Sequence, residues 1–461
     1  MAKTIQETPL WLDVEDIFNK PEPIPTYNYQ GQLHTVDQDI DAINITSIDI
    51  GRDYINNIGD EIIVKFHVYR GDYILDIYPK RHNLEFTIKR MLITNSEYPD
   101  TSKGFEIERY KAVFLVDGNL NAQTSKEQVI DRHTLNNQEP VEMVLQLLNR
   151  SLEPLRMKTV RGVFKDIKRE DFIRSILAGE TEKILIDGKP GLDSFNIVKP
   201  DNSELIKQLI LPDNTPVLTV PTYLQERHTG VYATGIGNYF QTYDDQRTWF
   251  VYPLYNVERF RESVPKIIIY SIPEFQFSAV DRTFNIRDTC VHVLGTGSKR
   301  YQDDGETEMM NSGVGFRQAN ADSMMDKPID MQADGPVGNN KKVNTEVTIK
   351  KREDGFNHAP TSTRGIAVNS FAEYSRQASK NLAKVDIVWH NSKPELLYPG
   401  MPCKYVYVDG EEIKEVKGVV VYNHTFISHG NPQSGLKFTD QKYSMSTALR
   451  LVVEKFIDVI E

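Results

Sequence analysis

Four stretches of this 461-residue sequence carry residue types that could do chemistry. Gly295-Thr-Gly-Ser-Lys299-Arg300 has the glycines and lysine of a phosphate-cradling loop. It lacks the Gly-x-x-x-x-Gly-Lys-Ser/Thr spacing that gathers backbone amides around phosphate, and no helix clearly follows, so a strand turn is expected. Thr234-Gly-Ile-Gly-Asn238 lacks the third glycine and the βαβ setting of a dinucleotide site. Asp37-Gln-Asp-Ile-Asp41 alternates carboxylates without the central glycine and closing glutamate of a calcium loop, and reads as a polar connection. His424 and His429 fall in an expected β-hairpin without the third ligand and activating carboxylate of a zinc hydrolase, and read as surface or turn residues. There is no nucleophile elbow and no Cys-His signature, and scattered acidic pairs say nothing about glycosidase chemistry without geometry. The sequence assigns no catalytic, cofactor-binding or metal-binding residue and no cofactor; a non-enzymatic protein is expected.

Length and charge narrow the field further. A single core stops growing at roughly 250–300 residues, so two to four packed units are expected. An apolar share of 39% and an aromatic share of 10% exclude wholesale disorder. The formal net charge is −11, from 65 acidic and 54 basic residues, and this balance offers no basic face for gripping nucleic acid. The patch Lys165-Asp-Ile-Lys168-Arg169 reads as a solvated helix face. Cys290 and Cys403 are too few and too dispersed for a disulfide framework or a zinc cluster, and read as buried free thiols. The start Met-Ala-Lys-Thr-Ile-Gln-Glu-Thr lacks the basic-then-apolar run of a secretory signal, and no stretch approaches the roughly 18 apolar residues of a membrane span. Folding in a reducing cytoplasm without membrane insertion is expected, and the sequons at Asn44, Asn149 and Asn423 read as coincidental.

These stretches must be positioned by elements, and the dominant period is two. Residues 1–32, with Pro21, Pro23 and Pro25, read as an N-terminal arm or linker. Across 33–119, Ile62, Val64, Phe66 and Val68 alternate with Ile63, Lys65, His67 and Tyr69. Arg70-Gly71-Asp72 turns into Tyr73–Ile77, and Leu84, Phe86 and Ile88 repeat the pattern before Phe105–Val116. Strands with short turns and no helices between them predict an antiparallel barrel or sandwich. Residues 120–262 read as an α+β insert. In it, Pro140 opens a helix carrying Val141, Val144, Leu145 and Leu148; a second helix runs from Glu170 to a stop at Gly179; Glu204–Ile210 forms a third; strands return over Val231–Tyr255 with a turn at Asp244-Asp245. The second β block starts over 263–297, with strands at Lys266–Phe277 and Thr289–Leu294, and a long loop over 298–342 interrupts it. The remainder, 343–461, begins with a strand at Asn344–Lys351. A helix capped by Ser370 and Glu373 follows, carrying Phe371, Tyr374, Ala378 and Leu382, and then strands at Val385–His390, Cys403–Val408, Val416–Ser428 and Leu436–Glu454.

The last part carries the sharpest pattern: a capped helix (370–384), a strand (Val385–Trp389), the turn Leu397-Tyr-Pro-Gly400-Met401, then a hairpin. Near the start, Ile58-Gly-Asp60-Glu-Ile-Ile-Val64 introduces a strand after a tight turn. This order of elements resembles the baseplate hub protein of contractile phage tails, similar also to the hub part of type VI secretion spike proteins. The resemblance covers most of the chain through short motifs. The N-terminal arm has no counterpart in it, and no spike-forming repeat follows the second β block, which favours a separate spike protein. It implies a β-rich α+β fold of two tail-tube-like antiparallel β-barrels with an inserted α+β domain. It further implies a homotrimer whose six barrels imitate sixfold symmetry, joining the tail tube protein above to the central spike protein below. Baseplate wedge proteins would then contact the insert, and DNA would pass through an acidic lumen in transit. Another virion component (wedge, tube-terminator or adsorption protein) and a cell-wall hydrolase stand as alternatives.

Overall fold

The computed structural model describes residues 9–22, 26–93, 106–115, 140–243, 245–272, 283–301, 315–320, 343–351, 357–362, 371, 375, 378, 382–409, 412–429 and 443–454. Pro9–Asn19 is a helix and Thr26–His34 is a strand, β1. Within the expected arm over 1–32, 9–19 is therefore helical and 26–32 belongs to a strand. Val14 and Ile17, three residues apart, share a helical face and are buried against Tyr270, Leu294 and Val406 of the C-terminal block.

The next strands are β2 (Asp39–Asp41), β3 (Asn44–Asp53), β4 (Glu61–Tyr69), β5 (Leu84–Ile93), β6 (Glu106–Phe114) and β7 (Pro140–Leu148). In β4, Ile62, Val64, Phe66 and Val68 are buried and their neighbours are not, as the period of two requires. Two expectations fail here. Arg70–Lys80, including Tyr73–Ile77, is helical. Pro140–Leu148 is a strand, not a helix: Met143, Leu145 and Leu147 point inward, and β4 and β6 both pair with it. A short apolar run satisfies either period, and two waiting strand edges decide it.

All pairings in this block are antiparallel, in the order β2-β1-β5-β6-β7-β4-β3. Ala42 N–H donates to Gly31 O at 2.9 Å, and Ile43 N–H donates to His67 O at 2.8 Å. The run 39–53 thus passes from β1 to β4, and the hydrogen bonds return to the strand where they began. Inside lie Leu33, Ile48, Val64, Phe66, Phe86, Met143 and Leu145.

The middle block holds β8 (Thr159–Ile167), a helix (Arg169–Glu182), β9 (Leu185–Ile186), β10 (Lys189–Pro190), β11 (Ser194–Ile197), β12 (Ile206–Pro216), a helix (Val220–Arg227), β13 (Ile236–Tyr243) and β14 (Gln246–Pro253). β8 and β12 make a two-stranded ribbon, and β11-β14-β13 a three-stranded sheet. The turn expected at Asp244-Asp245 falls between β13 and β14; Asp244 itself lies outside the described residues. The third expected helix is β12, because Ile206, Leu209 and Leu211 pack inward while the backbone ladders onto β8. The helix expected to stop at Gly179 runs on to Glu182. Arg169 is not on a solvated face: it is buried, donating to Gly230 O at 2.8 Å, to Thr229 Oγ1 at 2.6 Å and to Glu204 O. Its burial, opposed by Glu204, lowers its pKa to about 10.

The C-terminal block comprises β15 (Lys266–Ser271), β16 (Phe284–Arg287), β17 (Cys290–Tyr301), β18 (Gly315–Asn320), β19 (Val343–Lys351), β20 (Asn357–Ser362), β21 (Leu382–His390), β22 (Pro402–Asp409), β23 (Glu412–His429) and β24 (Tyr443–Glu454). β18, inside the stretch expected to be a loop, pairs with β19. The helix expected over 370–384 is helical at Phe371, Ser375 and Ala378; its capping residues lie outside the described residues, and Leu382 already belongs to β21. Hydrogen bonds run β15–β17–β21–β24–β23–β22 and back to β15, another closed course.

The two courses share one connectivity. Numbering six strands in chain order (β1, the 39–53 run, β4, β5, β6, β7; and β15, β17, β21, β22, β23, β24), the first pairs with the second and fourth. The third pairs with the second and sixth, and the fifth with the fourth and sixth. β3 pairs with β23, from Ser47 against Ser428 to Asp53 against Tyr422, and fuses both courses into one sheet.

Candidate functional site

The stretches that could have done chemistry do not converge. Gly295–Arg300 lies within β17, where Gly297 takes φ +64° at a shift of register between Thr296 and Lys299; this is a bulge, not a phosphate loop. Thr234–Asn238 leads into β13. Asp37–Asp41 forms the polar β1–β2 turn, with Asp39 Oδ1 at 2.6 Å from His34 Nδ1, Lys80 paired to Asp37 and Gln32 donating to Asp41. His424 and His429 both sit on β23, the first 3.4 Å from Asp49 and the second edge-on to the Tyr443 ring. Among the described residues no group of three or more His, Cys, Asp or Glu could hold a metal ion. Cys290 and Cys403 are free thiols, and burial raises the pKa of both.

What does converge is a polar knot where three blocks meet. Arg52 follows the β3 stretch that pairs with β4, and the turn before β4 supplies Asp60; Arg52 Nε donates to Asp60 Oδ2 at 3.0 Å, with side-chain exposures of only 12% and 16%. From the middle block, Tyr239 Oη donates to Asp60 Oδ1 at 3.0 Å. Tyr54 Oη donates to Gln241 Oε1 at 3.3 Å and accepts from Asn423 Nδ2 at 2.8 Å. Gln241 Nε2 reaches Leu397 O at 3.0 Å, and Tyr252 Oη reaches Tyr54 O at 2.9 Å. Apart from the Arg52–Asp60 pair within the first block, each of these bonds joins two different blocks.

The electrostatics agree. Burial works against the Arg52 charge, but the Asp60 carboxylate outweighs it and the Arg52 pKa is raised. Burial, with Asp60 beside them, pushes Tyr54 and Tyr239 up, so both phenols stay protonated as donors. The Leu397-Tyr-Pro-Gly400-Met401 turn closes against the same knot. Gly400 takes φ +70°, a Cβ there would lie 2.2 Å from the Tyr252 ring, and its carbonyl accepts from buried Arg259 at 2.9 Å.

A second clasp lies at Arg90 of β5, which pairs with Glu106 and with Glu395 of the C-terminal block while lying 4.6 Å over the Tyr27 ring. Burial, reinforced by the Glu395 charge, moves Tyr27 up to about 12. Tyr443 Oη donates to Ile45 O at 2.8 Å and locks β24 onto the first course. Sequence reading singled out Asp60, Gly400 and the turn around them, but not Arg52, Tyr54, Tyr239, Gln241 or Asn423. Their partners are 187 and 369 positions away for Tyr54 alone, beyond any local period.

No protein-family model matches the sequence, and no curated protein matches it. Among solved structures, a tail protein from Neisseria meningitidis MC58 is similar over 92% of this chain and 96% of that one, with 11% identity and a TM-score of 0.45. The 43 kDa tail protein of prophage MuSo2 from Shewanella oneidensis is similar over 93% and 100%, with 9% identity and a TM-score of 0.46. An E. coli component of the type VI secretion system is similar over 92% and 77%, with 9% identity and a TM-score of 0.42.

Proposed function

We propose that this protein is a non-enzymatic structural part of a contractile tail: a homotrimeric baseplate hub joining the sixfold tail tube to the threefold central spike. The observation that carries the reading is the repeated connectivity. Two six-strand courses with one pairing scheme, joined by the β3–β23 pairing and by the Asn423–Tyr54 and Tyr443–Ile45 hydrogen bonds, let three chains present six like modules around an axis. Each course read as a closed barrel leaves few free edges, so modules meet through faces rather than by uncontrolled strand addition.

On this reading the first barrel spans 26–148, the middle domain 149–262 and the second barrel 263–461, with the N-terminal helix belonging to the second barrel. The middle domain sits outside the ring toward the wedge proteins. A net charge of −11 suits a lumen through which DNA passes without adhering, since phosphates repel an acidic wall. The hub is placed in the virion baseplate, assembled in the host cytoplasm. No helix among the described residues is long and apolar enough to cross a membrane.

Mass photometry and cryo-electron microscopy of the purified chain test the proposal. Particles of three times the 52.9 kDa chain mass, with threefold symmetry and six similar lobes, are expected. A chain that stays monomeric at high concentration, alone and with its spike protein, removes it.

A further inference from the structure

The strands of the two closed courses have neighbours on both sides over most of their length; the β8–β12 ribbon does not. Its own pairing is antiparallel, with Ile210 opposite Val163 and Gln208 opposite Lys165. One face of the ribbon packs Leu209, Leu211 and Phe164 onto the middle-block core. The other face is open: Val163 is 58% and Ile210 55% exposed, an apolar pair in solvent. Basic side chains frame it, with Arg161 and Lys165 on β8 and Lys168 just beyond, all exposed. Arg161 meets Asp213 at 3.4 Å across two exposed side chains, while among the described residues Lys165 and Lys168 have no carboxylate partner.

The two edges of the ribbon differ. Tyr223 Oη donates to Ile210 O at 3.3 Å, and His228 Nε2 lies 3.1 Å from Gln208 O, so these carbonyls point away from β8 and are engaged. In an antiparallel pair, residues whose carbonyls point away face partners whose amide groups also point away. Val163 and Lys165 therefore present their N–H and C=O groups at the outer edge of β8, which has no partner strand among the described residues.

We propose that the outer edge of β8 is a docking site for an extended, acidic segment of another protein, added as a third strand. The edge supplies the backbone ladder, as in strand addition generally. The side chains set the pattern: Arg161, Val163 and Lys165 alternate on the open face, so the incoming strand carries acidic, apolar and acidic residues at every second position. Charge complementarity favours this occupant, since Arg161 and Lys165 flank Val163 on the open face of a chain whose net charge is −11. A nucleic acid fits less well, because an apolar pair occupies the centre of the open face and the free edge offers a backbone ladder that a polypeptide strand matches. The inference stands on the ribbon and does not need the trimeric reading.

The test uses the full-length protein and a fluorescein-labelled peptide, Thr-Glu-Thr-Val-Thr-Glu-Thr, followed by fluorescence anisotropy. Saturable binding is expected, with none for the peptide carrying lysine in place of glutamate and none when alternate peptide amides are N-methylated on the ladder side. Arg161→Glu combined with Lys165→Glu weakens the acidic peptide about tenfold or more and confers binding of the lysine peptide. Both positions are exposed, and gain of the second peptide shows that the variant is folded. The proposal is overturned by no saturable binding up to millimolar peptide. Indifference to the charge exchange also overturns it, as does tighter binding of an oligothymidine at the same residues.

Discussion

Around the first course every pairing is antiparallel, whereas in the second β15 runs parallel to both neighbours, β17 and β22. The connections explain the difference. β1 reaches β2 through the tight Thr35–Gln38 turn, which only an antiparallel hairpin allows; residues 272–289 separate β15 from β17, long enough for the dozen or so that a parallel crossover needs. The outer faces differ as well. Among the residues of β1 that alternate with its core positions are Gln30, Gln32 and His34; Gln30 is exposed, Gln32 donates to Asp41 Oδ1 and His34 meets Thr87 Oγ1. The corresponding face of the second course is Ile268, Tyr270, Leu294 and Val406, which needs a cover, and the Pro9–Asn19 helix supplies it. One pairing scheme thus carries a polar outer strand in one case and an apolar face under a helix in the other.

The sharpest way to break this comparison is to injure one interior and watch the other. Trp389→Ala removes a fully buried indole that packs edge-on to Phe284 in the second core. A loss of about 3–5 kcal/mol is expected in denaturant unfolding. Because β3–β23 and Tyr443–Ile45 join the courses, hydrogen exchange should rise in β3 and β4 as well as around Trp389. Exchange confined to the second course would show two independent units.

The knot comes next. Asp60→Ala leaves Arg52 charged and nearly buried, and removes the acceptor of Tyr239; about 3 kcal/mol of destabilisation is expected in thermal unfolding. Replacing the pair together, Arg52→Met with Asp60→Leu, should recover most of it, since the cost comes from the stranded charge. If the double variant is as unstable as the single one, the knot acts through shape and not through charge.

How much of this was legible beforehand follows the range of the interactions. β4 and β5 are amphipathic strands whose alternation is complete within nine or ten residues, so local period identified them. β7 and β12 were misread because Val141, Val144, Leu145 and Leu148, like Ile206, Leu209 and Ile210, satisfy helical spacing equally well; pairing with strands tens of residues away settled them. The N-terminal helix was legible but overlooked: Leu10, Val14, Ile17 and Phe18 recur at helical spacing behind Pro9, and the neighbouring prolines masked them. The spacing of the four candidate stretches could be judged locally. The knot could not, because its members come from three blocks.

The cover over the second course gives a smaller effect and a dependence on pH. Ile17→Ala should cost about 2 kcal/mol, seen as exchange of the helix and of β15 with β1 unaffected. Beneath the helix His292 is 8% exposed and bonded to Tyr270 Oη at 3.0 Å. Burial and the Arg287 guanidinium lower its pKa, with Asp13 and Asp16 opposing. A lowered folded pKa means that protonation favours the open form, so its contribution is present above the ordinary histidine value of about 6.5 and is lost as pH falls below it. Helix exchange should therefore accelerate below about pH 6.5, and His292→Gln should flatten that dependence.

The smallest effect belongs to the polar exterior of the first course, and it sharpens the contrast best. Thr87 is buried, and its Oγ1 lies 2.7 Å from His34 Nε2, whose other nitrogen meets Asp39. Thr87→Val keeps the shape and removes the hydroxyl, leaving that nitrogen without its partner on β5; about 1 kcal/mol is expected from chemical denaturation. The His34 bond holds the Asp39 carboxyl below its ordinary pKa, so proton titration followed by NMR should show Asp39 moving upward if the ring loosens. The N-terminal helix should remain seated throughout, because Asp13, Val14, Asp16 and Ile17 meet residues of the other course. Release of the helix by a single lost hydroxyl in β5 would mean that the two exteriors are coupled, and that the second cover is not local to the strands it hides.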